Sequence, residues 1–188
     1  MAWIVRSLLL SCFFLAAACS MEAAINTFSS PEDRAFAQRF VEDVRTGNEA
    51  ALKPEFDPSI WEKSRPQLAN ARPLFPPGKG STRLVGFHVA TNTINGDSST
   101  RKEFVLVTTD QTHWTRTEIV TFARNGPPRV VGWNVDGFKE PPPDLKMYET
   151  MERIAPWLQA AGVIIFISIA AFIWWLVRRS RRRRVAGG

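Results

Sequence analysis

Apolar residues along the chain follow three different patterns, and each predicts a different kind of element. Between residues 30 and 47 they recur at helical spacing. Phe36, Phe40 and Val44 stand four apart with Ala37 and Val41 beside them, which makes one stripe of a helix apolar. Ser30 suits the N-cap, Pro31 the first helical position and Asp33 the third, and Gly47 supplies the stop. A short helical turn over residues 49–53 follows. Asp57 and Pro58 then open a further helix through Ile60, Trp61 and Leu68, bent or broken near Pro66, where a backbone donor is missing.

From residue 73 the period changes to two. Beyond the turn-rich LFPPGKGS, the stretches RLVGFHVAT, KEFVLVTT, HWTRTEIVTF and RVVGWNV alternate as strands do. Asn95-Gly96, Asp110-Gln111 and Asn125-Gly126 separate them, so antiparallel pairing through tight turns is expected. In the first strand, alternation puts Val85, Phe87 and Val89 on one face and His88 on the other. Helices followed by a run of antiparallel strands predict an α+β domain over residues 30–140, with the helices on one face of the sheet. Residues 19–29 read as a linker into it. Residues 141–156, which open with PPPDL, read as a stiff juxtamembrane spacer out of it.

The third pattern is unbroken apolarity, and it occurs twice. Residues 7–15 form a short apolar run behind Arg6 and end in Ala16, Ala17 and Ala18, the build of a cleaved export signal over residues 1–18. Cys19 follows at once, and the stretch LAAAC resembles the lipidation motif of bacterial lipoproteins, with Ala16 where a branched aliphatic residue is usual. Simple cleavage is the leading reading, ahead of lipidation at Cys19 and of an uncleaved first helix. Residues 157–177, WLQAAGVIIFISIAAFIWWLV, hold no charge, and at about 1.5 Å per residue they span roughly 30 Å of hydrocarbon. Trp157 at one end and Trp174 with Trp175 at the other match interfacial aromatic belts. RRSRRRR follows directly, whereas KMYETMERIAP ahead of the span is mixed in sign. The C-terminal tail, residues 178–188, is therefore expected in the cytoplasm, and the domain in the periplasm as part of a single-pass bacterial inner-membrane protein.

Charge sharpens this picture. The formal net charge of +6 resides entirely in Arg178, Arg179, Arg181, Arg182, Arg183 and Arg184, because the remaining 18 basic residues balance 18 acidic ones. No surplus is left for a basic face on the domain, which excludes a nucleic-acid reading. The arginines fix topology, and they offer a contact to anionic lipid head groups worth about 1 kcal/mol each near the surface. Cys12 and Cys19 are the only cysteines, both in or beside the leader, so the domain has neither a disulfide nor a cysteine zinc site. Its stability must come from an apolar core, for which roughly 125 residues suffice.

The order helix, short helix, helix, LFPPG, then strands ending in VVGWNVDGF resembles the NTF2-like (cystatin-like) α+β cone. More narrowly, it resembles small bacterial envelope proteins that carry this domain and a C-terminal membrane helix. The resemblance covers residues 30–139 and rests on element order. It implies a curved sheet wrapped around the first helix, with a pocket at the open end of the cone. Enzymes of this fold place an Asp, His or Tyr inside the cone, but the one tyrosine here, Tyr148, lies beside the membrane segment.

Candidate chemistry is sparse. His88 and Glu103 lie on strands, and Trp114, Arg116 and Glu118 share one face of the third strand with Val120 and Phe122. The leading expectation is that Arg116 and Glu118 are solvated at a strand end; if that face is the concave one, two buried charges would need partners. Trp133 joins them as a pocket candidate. Asp110 and His113 flank a turn, where hydrogen bonding within the turn is the ordinary role and acid–base chemistry the special one. Two separated histidines make no zinc site, GKGS is too short for a phosphate loop, and no G-x-S-x-G elbow occurs. No catalytic residue, metal or cofactor is therefore assigned. The expectation is a membrane-anchored periplasmic binding or assembly module with an envelope protein as partner. The alternative is a small-molecule binding protein or enzyme that uses the cone pocket.

Overall fold

The computed structural model describes residues 20–78, 80–94 and 96–185. Residues 1–19, which hold the expected export signal and Cys19, and Asn95 of the first hairpin turn lie outside the described residues, as do the side chains of the arginines beyond Arg178. The chain divides into two compact units. One is Ala24–Glu149, and the other joins the residues up to Ala23 with Thr150–Gly188. The elements in order are α1 (Met21–Phe28), α2 (Pro31–Thr46), α3 (Glu49–Leu52), α4 (Pro58–Ala71), β1 (Ser81–Ile94), β2 (Asp97–Thr109), β3 (Trp114–Arg124), β4 (Arg129–Phe138) and α5 (Pro143–Val185). Single 3-10 turns, Lys53–Glu55 and Arg72–Leu74, precede and follow α4. The protein is thus α+β, with one four-stranded antiparallel sheet in the order β1-β2-β3-β4.

Local chemistry sets the helix ends. At α2 the Ser30 hydroxyl accepts from the Asp33 N–H at 3.1 Å, and the Asp33 carboxylate accepts from the Ser30 N–H at 3.3 Å, a reciprocal capping box. Gly47 closes the helix in the left-handed region, φ 72°, a conformation that favours glycine. Asp57 caps α4 by accepting from the Ser59 hydroxyl and N–H at 2.6 and 2.9 Å, and these bonds hold its carboxyl below the ordinary range. Pro66 does not break α4, which runs unbroken from Pro58 to Ala71. One lost donor is outweighed by the buried face of Trp61, Leu68 and Ala71. Most of the segment expected as a linker before residue 30 is helix α1.

The register assigns the two faces of the sheet. Leu84, Leu106, Thr117 and Val135 form one row across it, and Phe87, Phe104, Ile119 and Trp133 form the next. This is the face under the helices. Phe36 of α2 meets Phe104 at 5.9 Å, and Phe40 meets Trp133 edge-on at 6.4 Å. Phe56 lies between Phe40 and Trp61, at 5.6 and 5.4 Å. These offset and edge-to-face contacts link α2, α4 and the sheet into one core. β1 departs from simple alternation. Val85 is an extra residue opposite β2, so Phe87 packs on Phe104 while Val89 is exposed, and the three do not share a buried face.

The other face carries Arg83, Val107, Arg116 and Asp136 in one row. Val107 is nevertheless 1 % exposed. The first turns of α5 cover this face: Asp144 bonds Arg116 at 2.6 Å, the Arg83 guanidinium lies 5.5 Å over the Tyr148 ring, and Leu145 and Tyr148 are buried. The prolines expected as a spacer instead start a helix, Pro143 occupying its first position, where its missing N–H costs nothing. Residues 143–149 belong to the folded unit.

In the second unit, the Ser20 hydroxyl and the Glu22 N–H both donate to Glu152 Oε1, at 3.0 and 2.8 Å, so a carboxylate of α5 caps the start of α1. Among the described residues, α5 is the one helix long and apolar enough to cross a membrane, and none of its most apolar stretch is buried.

Threonines on β3 test the polar accounting of the core. Thr115 donates its hydroxyl to the Leu74 carbonyl, whereas the buried Thr117 hydroxyl has no partner. Thr117→Val is expected to leave stability unchanged or raise it by up to about 1 kcal/mol. Thr115→Val should cost about 1 kcal/mol by orphaning the carbonyl. Urea unfolding followed by tryptophan fluorescence reads both.

Candidate functional site

The six residues singled out from the sequence do not converge. Trp114, Arg116 and Glu118 lie on the outer sheet face, with His88 and Glu103 paired across β1 and β2 on the same face. Trp133 lies on the opposite, helix-covered face in the row of Phe104 and Ile119. His88 and Glu103 sit in a half-exposed row with Val120 and Gly132, and Arg101 approaches Glu103 at 3.9 Å.

The dense electrostatic centre of the outer face is Arg116. Its guanidinium meets Asp144 at 2.6 Å, Glu118 at 2.9 Å and Asp136 at 4.0 Å. Partial burial works against the charge, but the bonds to Asp144 and Glu118 outweigh it and hold the group above its ordinary value. The two charges foreseen on this strand are thus paired with each other, and the decisive third partner comes from α5. A cation held by two carboxylates with a third at 4.0 Å is a structural tie whose charge is already compensated.

Asp110 and His113 resolve the same way. Asp110 accepts from the Thr112 N–H, the Thr112 hydroxyl and the His113 N–H at 2.8–2.9 Å, while the two side chains stand 3.7 Å apart with His113 largely exposed. The carboxylate closes the β2–β3 turn. These bonds lower its pKa to about 2.

A concave site lies between α4 and β4. It is an open groove of about 180 Å³ lined by Gln67, Asn70, Ala71, Leu74, Trp133, Asn134 and Val135. Its polar groups are three amides, which donate and accept hydrogen bonds without titrating. The groove can therefore hold a neutral polar group but supplies neither a general acid nor a base. The Trp133 indole N–H is buried without a partner. Trp133 is the one candidate from the sequence that lines this groove. The amides were missed, although Gln67, Asn70 and Leu74 stand three and four apart, the spacing that places them on one side of a helix. Among the described residues no three His, Cys, Asp or Glu side chains cluster to hold a metal.

Compared with known proteins, the chain matches no family model, no curated protein and no solved structure. Function is therefore read from geometry.

Two measurements check these assignments. Arg116→Ala leaves three carboxylates without their cation and should cost about 1–2 kcal/mol in urea unfolding of the detergent-solubilised chain, with Asp144→Asn costing less. Asp110 has a depressed folded-state pKa, so its contribution is complete above the ordinary carboxyl value of 3.8 and is lost as pH falls through about 2. In acid titration between those values, Asp110→Asn should flatten part of the stability loss seen in the parent chain.

Proposed function

We propose that the chain is a single-pass, inner-membrane-anchored module whose periplasmic α+β domain binds or assembles with an envelope protein and catalyses no reaction. The observation that carries this reading is α5. It begins on the outer face of the sheet at Pro143 and continues through the uncharged residues 157–177 to the arginines. The same helix thus holds both residues packed on the sheet and the uncharged stretch proposed to cross the lipid. The unequal charge on either side of the span supports a periplasmic domain and a cytoplasmic tail. The arginines of that tail also suit a contact with anionic lipids, and the Arg178 guanidinium lies 5.1 Å over the Trp174 ring at the membrane edge.

The domain is proposed as an NTF2-like relative. α2 and α4 on one face of an antiparallel sheet, with register shifts in the β1–β2 and β3–β4 pairings, support that reading, since bulges curve a sheet. An amide-lined groove without a titratable side chain supports binding over catalysis.

The cysteine-free domain makes topology directly testable. In a Cys12→Ser/Cys19→Ser background, Ser98→Cys on the exposed β1–β2 hairpin should react with a membrane-impermeant maleimide in intact spheroplasts. Gly187→Cys in the tail should react only after lysis. The reverse pattern would overturn the orientation, and with it the periplasmic assignment.

A further inference from the structure

We infer that the groove between α4 and β4 is a docking site for an extended peptide segment of the partner protein, which adds to β4 as a further strand of the sheet. The inference deepens the binding-module reading and rests on it. In the order β1-β2-β3-β4, β4 pairs with β3 on one side only. An edge strand directs the N–H and C=O groups of alternate residues away from the sheet, where they lack strand partners. The structure shows what this edge takes. At its start Phe56 lies beside Val130 in a parallel bridge, and the Asp57 N–H donates to the Val130 carbonyl at 2.9 Å. That pairing is main chain on main chain, and it ends at once. Pro58, which has no N–H, comes next and turns the chain into α4. From Gly132 to Phe138 the outer edge of β4 carries no bridge or main-chain bond among the described residues.

The groove opens beside that unpaired stretch. Trp133, Asn134 and Val135 line it from β4, and Gln67 and Asn70, both exposed, line it from α4. Primary amides donate and accept as peptide groups do, so those of α4 suit the far side of an added strand. Leu74, 40 % exposed, offers an apolar contact beyond the end of α4. The groove by itself would admit any small neutral molecule. The strand edge along its wall is what selects a polypeptide. No ionisable side chain lines it, so the peptide residues that face inward are uncharged. β4 also lacks the usual defences of an exposed edge. It holds no Lys and no Pro, its bulge at Val131 precedes the groove, and Asp136 is engaged by the Asn134 amide at 2.7 Å.

A panel of capped eight-residue peptides built from Val, Thr, Asn and Gly, added to the detergent-solubilised full chain, tests this. Binding should slow hydrogen exchange of the main-chain amides of residues 132–138 and leave those of the opposite edge, β1, unchanged. Strand addition has a period of two, because only alternate peptide N–H groups face β4. N-methylation of that set should lower affinity by at least about tenfold, or roughly 1.4 kcal/mol, whereas the other set tolerates it. Asn70→Trp should abolish binding, and Ala69→Trp, exposed on α4 outside the groove lining, should leave it unchanged. No binding across the panel, protection at β1 instead, or affinity indifferent to N-methylation would overturn the site. The maleimide pattern separates the two levels of the claim. A periplasmic domain that binds no peptide removes the groove alone, whereas labelling of Ser98→Cys only after lysis removes the periplasmic module beneath it.

Discussion

The ion pair between Arg116 and Asp144 ties the start of α5 to the sheet. Arg116 stands in the middle of a sheet face that no N-terminal helix covers, in a row with Arg83, Val107 and Asp136. Left open, that face would expose Val107 and place a cation beside two strand carboxylates with little to orient it. Asp144 supplies the third acceptor at 2.6 Å, and with it come Leu145 and Tyr148, which are buried, and the Arg83 contact over the tyrosine ring. The gain is mixed in kind. A partly buried pair is worth little by itself because desolvation opposes it, but it fixes which residues of α5 meet the sheet, and the apolar burial then follows.

That arrangement also pairs charged groups of the outer face with one another, Arg116 with Asp144 and Glu118 and Arg101 near Glu103, while the Asn134 amide donates to Asp136. The turn carboxylate Asp110 is likewise occupied by three donors. In the groove between α4 and β4, the lining is amide and apolar.

Much of the fold was legible from local rules. The capping box of Ser30 and Asp33, the glycine stop at Gly47, the cap at Asp57 and the four alternating stretches all rest on interactions within a few residues, and each formed an element near the predicted bounds. Readings that depended on an assumption about neighbours fared differently. Pro66 signals a break only if nothing holds the two halves of α4 together, and its buried Trp61 and Leu68 do. Alternation in β1 holds only without an extra residue, and Val85 is one. PPPDL looks like a stiff tether until the carboxylate just inside it finds a partner 28 residues earlier in the chain.

By itself, the sequence determined the kinds of element, their order, and the one apolar helix that ends in arginines, because those follow from side-chain period, caps and charge along the chain. It also showed that Arg116 and Glu118 would share a face, since a strand's period is two. Only the tertiary structure decided which face that was, which partner completed the pair, and that Trp133 lay on the other side with Gln67, Asn70 and Asn134 nearby. Those outcomes depend on strand register and on contacts between distant residues, where a single extra residue or one long-range ion pair redirects a side chain and no local pattern records it.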